Sequence, residues 1–141
     1  SNLEALRSRT RLRLIQLMAA DGGPPDRPGT SYRQMATPAG LKALAAHVDG
    51  IGVEKALVIP RDSDGLLAQP TQLVADAHAA GLKVHVWTFR PENSFLPTDL
   101  RSGESPAARG RASAEIRAFM DAGIDGVFSD SVLDAAAARN R

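Results

Sequence analysis

Short apolar runs alternate with longer segments whose apolar residues recur at helical spacing, and the alternation repeats along the whole chain. Residues 12–18 (Leu-Arg-Leu-Ile-Gln-Leu-Met) predict a first strand, followed by a stretch over 21–29 rich in glycine, proline and aspartate that reads as turns. Thr37-Pro38 then predicts a helix start, with an N-cap threonine ahead of proline at the first position. Leu41, Leu44, Ala45 and Val48 follow at helical spacing. Residues 49–53, beginning Asp49-Gly50, predict a second strand, whereas 55–60 is too short a run to choose between strand and helix. Gln69-Pro70-Thr71 opens another helix, with Leu73, Val74, Ala77 and Ala80 as its apolar stripe and Gly81 just past its end. Residues 83–88 predict the third strand. A polar loop over 91–110 leads to a helix at 113–122 that stops at Gly123, then to a fourth strand at 126–128 and a terminal helix.

Four βα units in succession predict an α/β fold with a parallel sheet and right-handed crossovers. In such sheets ligands sit beyond the carboxyl ends of the strands, whether the sheet is open or closed into a barrel. The positions to examine are therefore Met18 onward, Val53-Glu54, 87–93 and 128–130. With 141 residues the chain is one domain's worth, well below the ~200–250 residues of a closed (β/α)8 barrel.

Composition narrows the function classes. Hydrophobic residues make up 43% and charged residues 23%, which predicts a globular core. A net charge of +1 offers no attraction for nucleic acid or an anionic membrane. The absence of cysteine excludes a disulfide framework, a thiolate nucleophile and a cysteine-ligated metal. No apolar run approaches the ~20 residues needed to span a bilayer. No secretory leader is visible, and Ser1-Asn2 resembles the scar a processing protease leaves on a recombinant protein. A native start further upstream fits this, so localisation stays open: cytoplasmic, or periplasmic or secreted if an upstream segment carries a leader.

Candidate chemistry gathers at the third strand. Side chains alternate along a strand, so Lys83, His85, Trp87 and Phe89 share one face. Trp87 and Phe89, nearest its carboxyl end, are candidates for lining a ligand site, with core packing as the competing role. Arg90 can clamp a phosphate or carboxylate, or form a surface ion pair. Asn93 can hydrogen-bond a diol or cap a turn. Gln16, the polar residue between Ile15 and Leu17, is expected to face a barrel lumen, because a buried amide needs partners. Tyr32, in the loop after the first strand, can close over the site or lie on the surface. His47 and His78 fall near helix C-termini, where a positive charge suits the dipole, and His85 reads as an interior residue. Asp62 and Asp64 superficially suggest a calcium loop, but 69–72 supplies no bidentate glutamate, so they read as a turn. The other carboxylates are scattered, and neither a catalytic constellation nor a metal site is predicted in this chain.

The succession Leu14-Ile15-Gln16-Leu17, Asp49-Gly50-Ile51-Gly52, then Ala77-His78-Ala79-Ala80-Gly81-Leu82-Lys83-Val84-His85-Val86-Trp87-Thr88-Phe89-Arg90, then Ala122-Gly123-Ile124-Asp125-Gly126-Val127-Phe128-Ser129-Asp130 resembles the C-terminal half of the glycerophosphodiester phosphodiesterases. That resemblance implies a TIM-type (β/α)8 barrel that hydrolyses glycerophosphodiesters to an alcohol and glycerol 3-phosphate with a divalent cation, Mg2+ or Ca2+. The family's acid/base histidines and metal-binding carboxylates lie in His-Arg, Glu-x-Asp and His-Asp segments of the first half, and none of these occurs here. Residues 1–141 then correspond to strands five to eight, a single C-terminal half-barrel. Such a half supplies the substrate-shaping residues Gln16, Trp87, Phe89, Arg90 and Asn93, with no catalytic residue and no cation bound by this chain alone. The chain departs from the family at Ser129-Asp130-Ser131-Val132, where the family usually reads Thr-Asp, an aromatic and proline.

The implied partners are a small glycerophosphodiester of lipid metabolism and either a missing N-terminal half-barrel or a second copy in a homodimer. Four βα units leave two open sheet edges and one bare sheet face. The alternative is a non-enzymatic half-barrel that self-associates or binds a ligand.

Overall fold

A computed structural model describes residues 1–140. Four strands, β1 (Ile15–Met18), β2 (Gly50–Glu54), β3 (Lys83–Phe89) and β4 (Gly126–Ser129), form one sheet in the order β1-β2-β3-β4. Each is parallel to the next. Around them run α1 (Asn2–Arg7), α2 (Tyr32–Met35), α3 (Pro38–Leu44), α4 (Lys55–Val58), α5 (Leu73–Ala79), α6 (Ala112–Asp121) and α7 (Val132–Arg139). The strand order never reverses, so the sheet has no switch-point crevice of the doubly wound kind. Consecutive, all-parallel neighbours are the arrangement within a (β/α)8 barrel, and the architecture is consistent with half of one.

Local chemistry sets the element boundaries. The Thr37 hydroxyl accepts the Gly40 N–H at 3.2 Å ahead of Pro38, and Leu41, Leu44 and Val48 are buried behind it. Gly81, at φ +82°, ends α5 in the left-handed conformation that glycine tolerates best. Residues 55–60, undecided from the sequence, begin with α4. Tertiary contact decided them: Val58 and Ile59 are buried, and the Val58 carbonyl accepts the Thr71 N–H at 2.8 Å. The first strand starts at Ile15, three residues later than the apolar pattern predicts, leaving Leu12 largely exposed. The N–H of Leu14 goes to a carboxylate rather than to a strand ladder.

That carboxylate belongs to a device used twice. Asp49, just ahead of β2, accepts the Leu14 N–H at 2.7 Å and donates its own N–H to the Leu14 carbonyl at 2.8 Å. Asp125, just ahead of β4, does the same with Val84, at 2.8 Å for both bonds. Each aspartate thus clasps a residue of the preceding βα unit from both sides and fixes the register of one parallel pair. Glycine follows each clasp, and at Gly50 a side chain would place Cβ 2.7 Å from the Lys83 carbonyl oxygen. The Leu14 N–H and then the Arg7 guanidinium hold Asp49 below the usual carboxylate range. At Asp125 partial burial pushes the pKa up. Hydrogen bonds from Lys83, the Val84 N–H and His78 outweigh it and bring the value down to about 2.

The two sheet faces differ in chemistry. The helices cover the face bearing Met18, Ile51, Val53, Val84 and Val86, all of them completely buried. The other face carries Ile15, Leu17, Gly52, His85, Trp87 and Phe128. Leu17 and Phe128 there are 55% and 46% exposed. Two expectations about facing are corrected. Gln16 shares its parity with the buried Leu14 and Met18, so it lies on the helix side near Leu44 and His47, its amide donating to the Leu17 carbonyl at 2.8 Å. Phe89 does not share a face with His85 and Trp87. The β3–β4 register slips between Val86 and Phe89, and one residue of slip reverses every side chain beyond it. Phe89 therefore turns into the core and meets the Phe119 ring edge-on at 5.1 Å.

After β3 the chain forms the long loop to α6, which contains two single-turn 3-10 helices, Asn93–Phe95 and Thr98–Leu100. Its organiser is Asn93, 3% exposed. The side-chain amide donates to the Ser102 and Ser105 carbonyls, both at 2.9 Å, and its oxygen accepts the Ser102 N–H at 2.9 Å. Its place is structural: it closes the loop on itself.

Two outcomes are expected. Asn93→Ala orphans buried carbonyls and lowers stability by about 2–3 kcal/mol in urea titration. Asp125 has a folded pKa below its ordinary 3.8, so its contribution is complete above that value and fades as pH falls toward about 2. Asp125→Asn lowers stability by about 1–2 kcal/mol at pH 7. The difference from the parent protein shrinks between pH 4 and pH 2, as chemical denaturation at each pH will report.

Candidate functional site

The carboxyl ends of β2 and β3 frame a cleft of about 500 Å3. Lys55, Arg61, Trp87, Arg90, Phe95 and Glu115 are the lining residues that carry its chemistry. The sheet sets their positions: Glu54 and Trp87 are register partners, so the residues just after them, Lys55 and Thr88 to Arg90, emerge side by side.

Glu115 lies beneath the cleft. It belongs to the inward face of α6 with Ala112, Ile116 and Phe119, and its side chain is completely buried. Its carboxylate accepts from Lys55 Nζ at 2.9 and 3.1 Å and from Arg61 Nη2 at 3.5 Å. A buried carboxylate without such partners is strongly disfavoured, so the ion pair and the burial of α6 depend on each other. Lys55 Nζ also sits 5.3 Å from the Phe89 ring centroid. Burial lowers the Lys55 pKa below the ordinary amine value, while the Glu115 charge and hydrogen bond pull it back up.

Phe95, in the first 3-10 turn, joins three cations. Its carbonyl accepts from Lys55 Nζ at 3.3 Å and from Arg61 Nη2. Its ring carries the Arg90 guanidinium at 4.8 Å from the centroid. Arg90 Nε reaches Asp130 Oδ2 at 2.9 Å, which ties the end of β3 to the residue after β4. Trp87 Nε1 donates to the Gly52 carbonyl at 2.8 Å, which holds the indole against β2.

Of the five candidates read from the sequence, the structure brings Trp87 and Arg90 together at the cleft. Phe89 touches it only from below, through the Lys55 ammonium. Asn93 is buried in the loop, and Gln16 lies on the helix side of β1. Tyr32 packs against the core from α2. His78 binds Asp125 at 2.7 Å, His47 lies 3.3 Å from Glu4, and His85 meets Phe128 edge-on at 6.2 Å on the uncovered face. Asp62 Oδ1 accepts the N–H groups of Asp64 and Leu66, both at 2.9 Å, as a turn does. Sequence reasoning missed Lys55, Arg61, Phe95 and Glu115. One signal was present: Glu115 falls on the apolar spacing of Ala112, Ile116 and Phe119, where a charge requires a buried partner.

A divalent cation requires several convergent oxygens. Among the described residues no group of three or more His, Asp or Glu side chains converges. At the cleft Glu54 accepts the Ala20 N–H at 2.8 Å, Glu115 is held by Lys55 and Arg61, and Asp130 is held by Arg90. These carboxylates do not fit a cation site by themselves.

Residues 3–134 match the Glycerophosphoryl diester phosphodiesterase family. Glycerophosphodiester phosphodiesterase GDPD6 of Arabidopsis thaliana is 34% identical over 101 residues, covering 71% of this chain and 25% of that protein. Glycerophosphodiester phosphodiesterase GDPDL7 of the same plant is 34% identical over 106 residues, covering 73% of this chain and 13% of that protein. The chain thus spans a quarter or less of the length of these relatives. A matching region that runs through all four strands and the cleft places the chain in the glycerophosphodiester phosphodiesterase family.

Proposed function

We propose that these residues form the C-terminal half-barrel of a glycerophosphodiester phosphodiesterase and hold the substrate for hydrolysis to an alcohol and glycerol 3-phosphate, a step of lipid metabolism. The observation that carries the reading is the position of Trp87, Lys55 and Arg90 at the carboxyl ends of adjacent parallel strands, within a region that matches the family. Hydrolysis adds water at phosphorus and breaks the bond to the alcohol oxygen. The phosphoryl charge must be neutralised and the leaving oxygen protonated. Arg90 and Lys55 supply positive charge at the mouth, and Trp87 supplies an apolar wall. In this reading the divalent cation, Mg2+ or Ca2+, neutralises the phosphoryl oxygens when bound. It and the acid/base pair belong to protein outside these 141 residues, because the carboxylates present are already engaged.

A second reading has its own observation. On the sheet face bearing Trp87 and His85, Leu17 and Phe128 are largely exposed, and among the described residues β1 and β4 each pair with a single strand. A parallel sheet is rarely stable with one face wet. In the parent enzyme the other half-barrel covers this face. Alone, the chain closes on a second copy, as a self-associating half-barrel.

Purified 141-residue protein is expected to leave glycerophosphocholine intact with Mg2+ or Ca2+ present. Turnover abolished by a chelator and restored by the cation would overturn that division of labour. Light scattering at micromolar concentration is expected to return about twice the monomer mass, since a face this apolar marks an interface. A monomer would defeat the self-association.

A further inference from the structure

The cleft at the ends of β2 and β3 concentrates like charge in a way that the fold alone does not require. Lys55 and Arg61 both reach the Phe95 carbonyl, and Arg90 stacks on the ring of the same residue. Three cations therefore meet around one residue, two at its main-chain carbonyl and one at its ring, and their mutual repulsion opposes this geometry. Three carboxylates, Glu54, Glu115 and Asp130, balance this charge, but Glu115 lies completely buried beneath the cleft, so the charged groups that reach into it with unused hydrogen-bonding capacity are the guanidiniums. Glu115 is shared by Lys55 and Arg61, and Asp130 faces Arg90. Glu54 is turned to the Ala20 N–H. Arg61 binds the Phe95 carbonyl and Glu115 through Nη2, and Arg90 binds Asp130 through Nε. A guanidinium carries five N–H donors, so both retain donor capacity, and their side chains are 33% and 41% exposed. The walls around them, Trp87, Phe95, Ile59 and Leu67, are apolar and lower the local dielectric, which strengthens any charge-assisted bond formed there.

We propose that this cleft is the head-group subsite and selects glycerophosphodiesters whose alcohol carries an additional anionic group, a carboxylate or a second phosphate. The proposal deepens the phosphodiesterase reading above and rests on it. Aromatic walls alone would also suit a quaternary ammonium, as aromatic cages do. The spare N–H donors of Arg61 and Arg90 have no acceptor to meet on a quaternary ammonium, whereas they match the oxygens of an oxyanion. Arg61 and Arg90 are the specificity-determining residues. Lys55 and the buried Glu115 are positioning residues that keep the Arg61 head at the cleft.

Trp87 is the only tryptophan in the chain and lines the cleft, so its fluorescence reports occupancy directly. The full chain is titrated separately with glycerophosphocholine, glycerophosphoserine and glycerophosphoinositol 4-phosphate. The expected result is tighter binding of the two anionic head groups than of choline, by about 5-fold or more, the scale of one added charge-assisted hydrogen bond. Serine and inositol phosphate arms distinguish a carboxylate from a phosphate as the preferred anion. Arg61→Gln and Arg90→Gln are each expected to reduce the anionic-to-choline affinity ratio at least ~3-fold, with circular dichroism confirming that both variants fold. Equal binding of all three ligands, or a ratio that neither substitution changes, overturns the head-group subsite and leaves the phosphodiesterase reading standing. No response to any glycerophosphodiester overturns both.

Discussion

Everything at the mouth of this sheet depends on strand register, and register depends on two aspartates. Asp49 and Asp125 each grip the backbone of the preceding unit through both a carboxylate and a main-chain N–H. Parallel pairs are held by slanted, evenly spaced bonds and joined by long crossovers, so no tight turn sets their alignment. A clasp at the strand entrance does that work. A one-residue slip in either pair would exchange the buried and bare faces of a strand. The β2–β3 pair, where the Lys83 N–H donates to the Asp49 carbonyl at 3.1 Å, partners Glu54 with Trp87 and so sets Lys55 beside the end of β3.

Once register is set, the cleft is assembled from pieces far apart in sequence. Lys55 comes from α4, Arg61 from the following turn, Arg90 and Phe95 from the end of β3 and its loop, and Glu115 from α6. Removing Glu115 would leave Lys55, which sits against the Phe89 ring, and Arg61 without their shared counterion. Asn93 acts at a distance: by closing the 91–110 loop on its own carbonyls, it holds the next turn, and so Phe95, in place. The polar site and the hydrophobic core are therefore one mechanical unit, joined through α6.

The uncovered sheet face is the other large feature. Glycines at 50, 52 and 126 keep it low, so that Leu17, His85, Trp87 and Phe128 lie across it. Side chains that fill a barrel interior have this character, apolar with an occasional polar group. The same indole that borders the cleft also forms part of this face, with Leu17 and Phe128 beside it. Whatever covers the face therefore also bounds the site.

The succession of βα units, the proline-led start of α3, the glycine past α5 and the parallel class were legible in the sequence, because each depends on residues close together in the chain. So was the placement of Trp87 and Arg90 beside a cleft, since both follow from position at a strand end. Period-2 reasoning failed at Phe89, where a register slip against β4 reset the phase, and no local signal marks a slip that a neighbouring strand imposes. It failed at Gln16 because the run from Leu14 to Met18 is apolar on both parities, and only the demand to bury Leu14 and Met18 chose between them. Residues 55–58 became helix, with Val58 and Ile59 buried in the core, and the Lys55–Glu115 pair spans 60 positions. The sequence by itself determined the elements and their order, through caps, breakers and periodicity that act within a few residues. Tertiary structure alone decided which face each strand presents and which charges meet, because burial and ion pairing are settled between segments that only folding brings together.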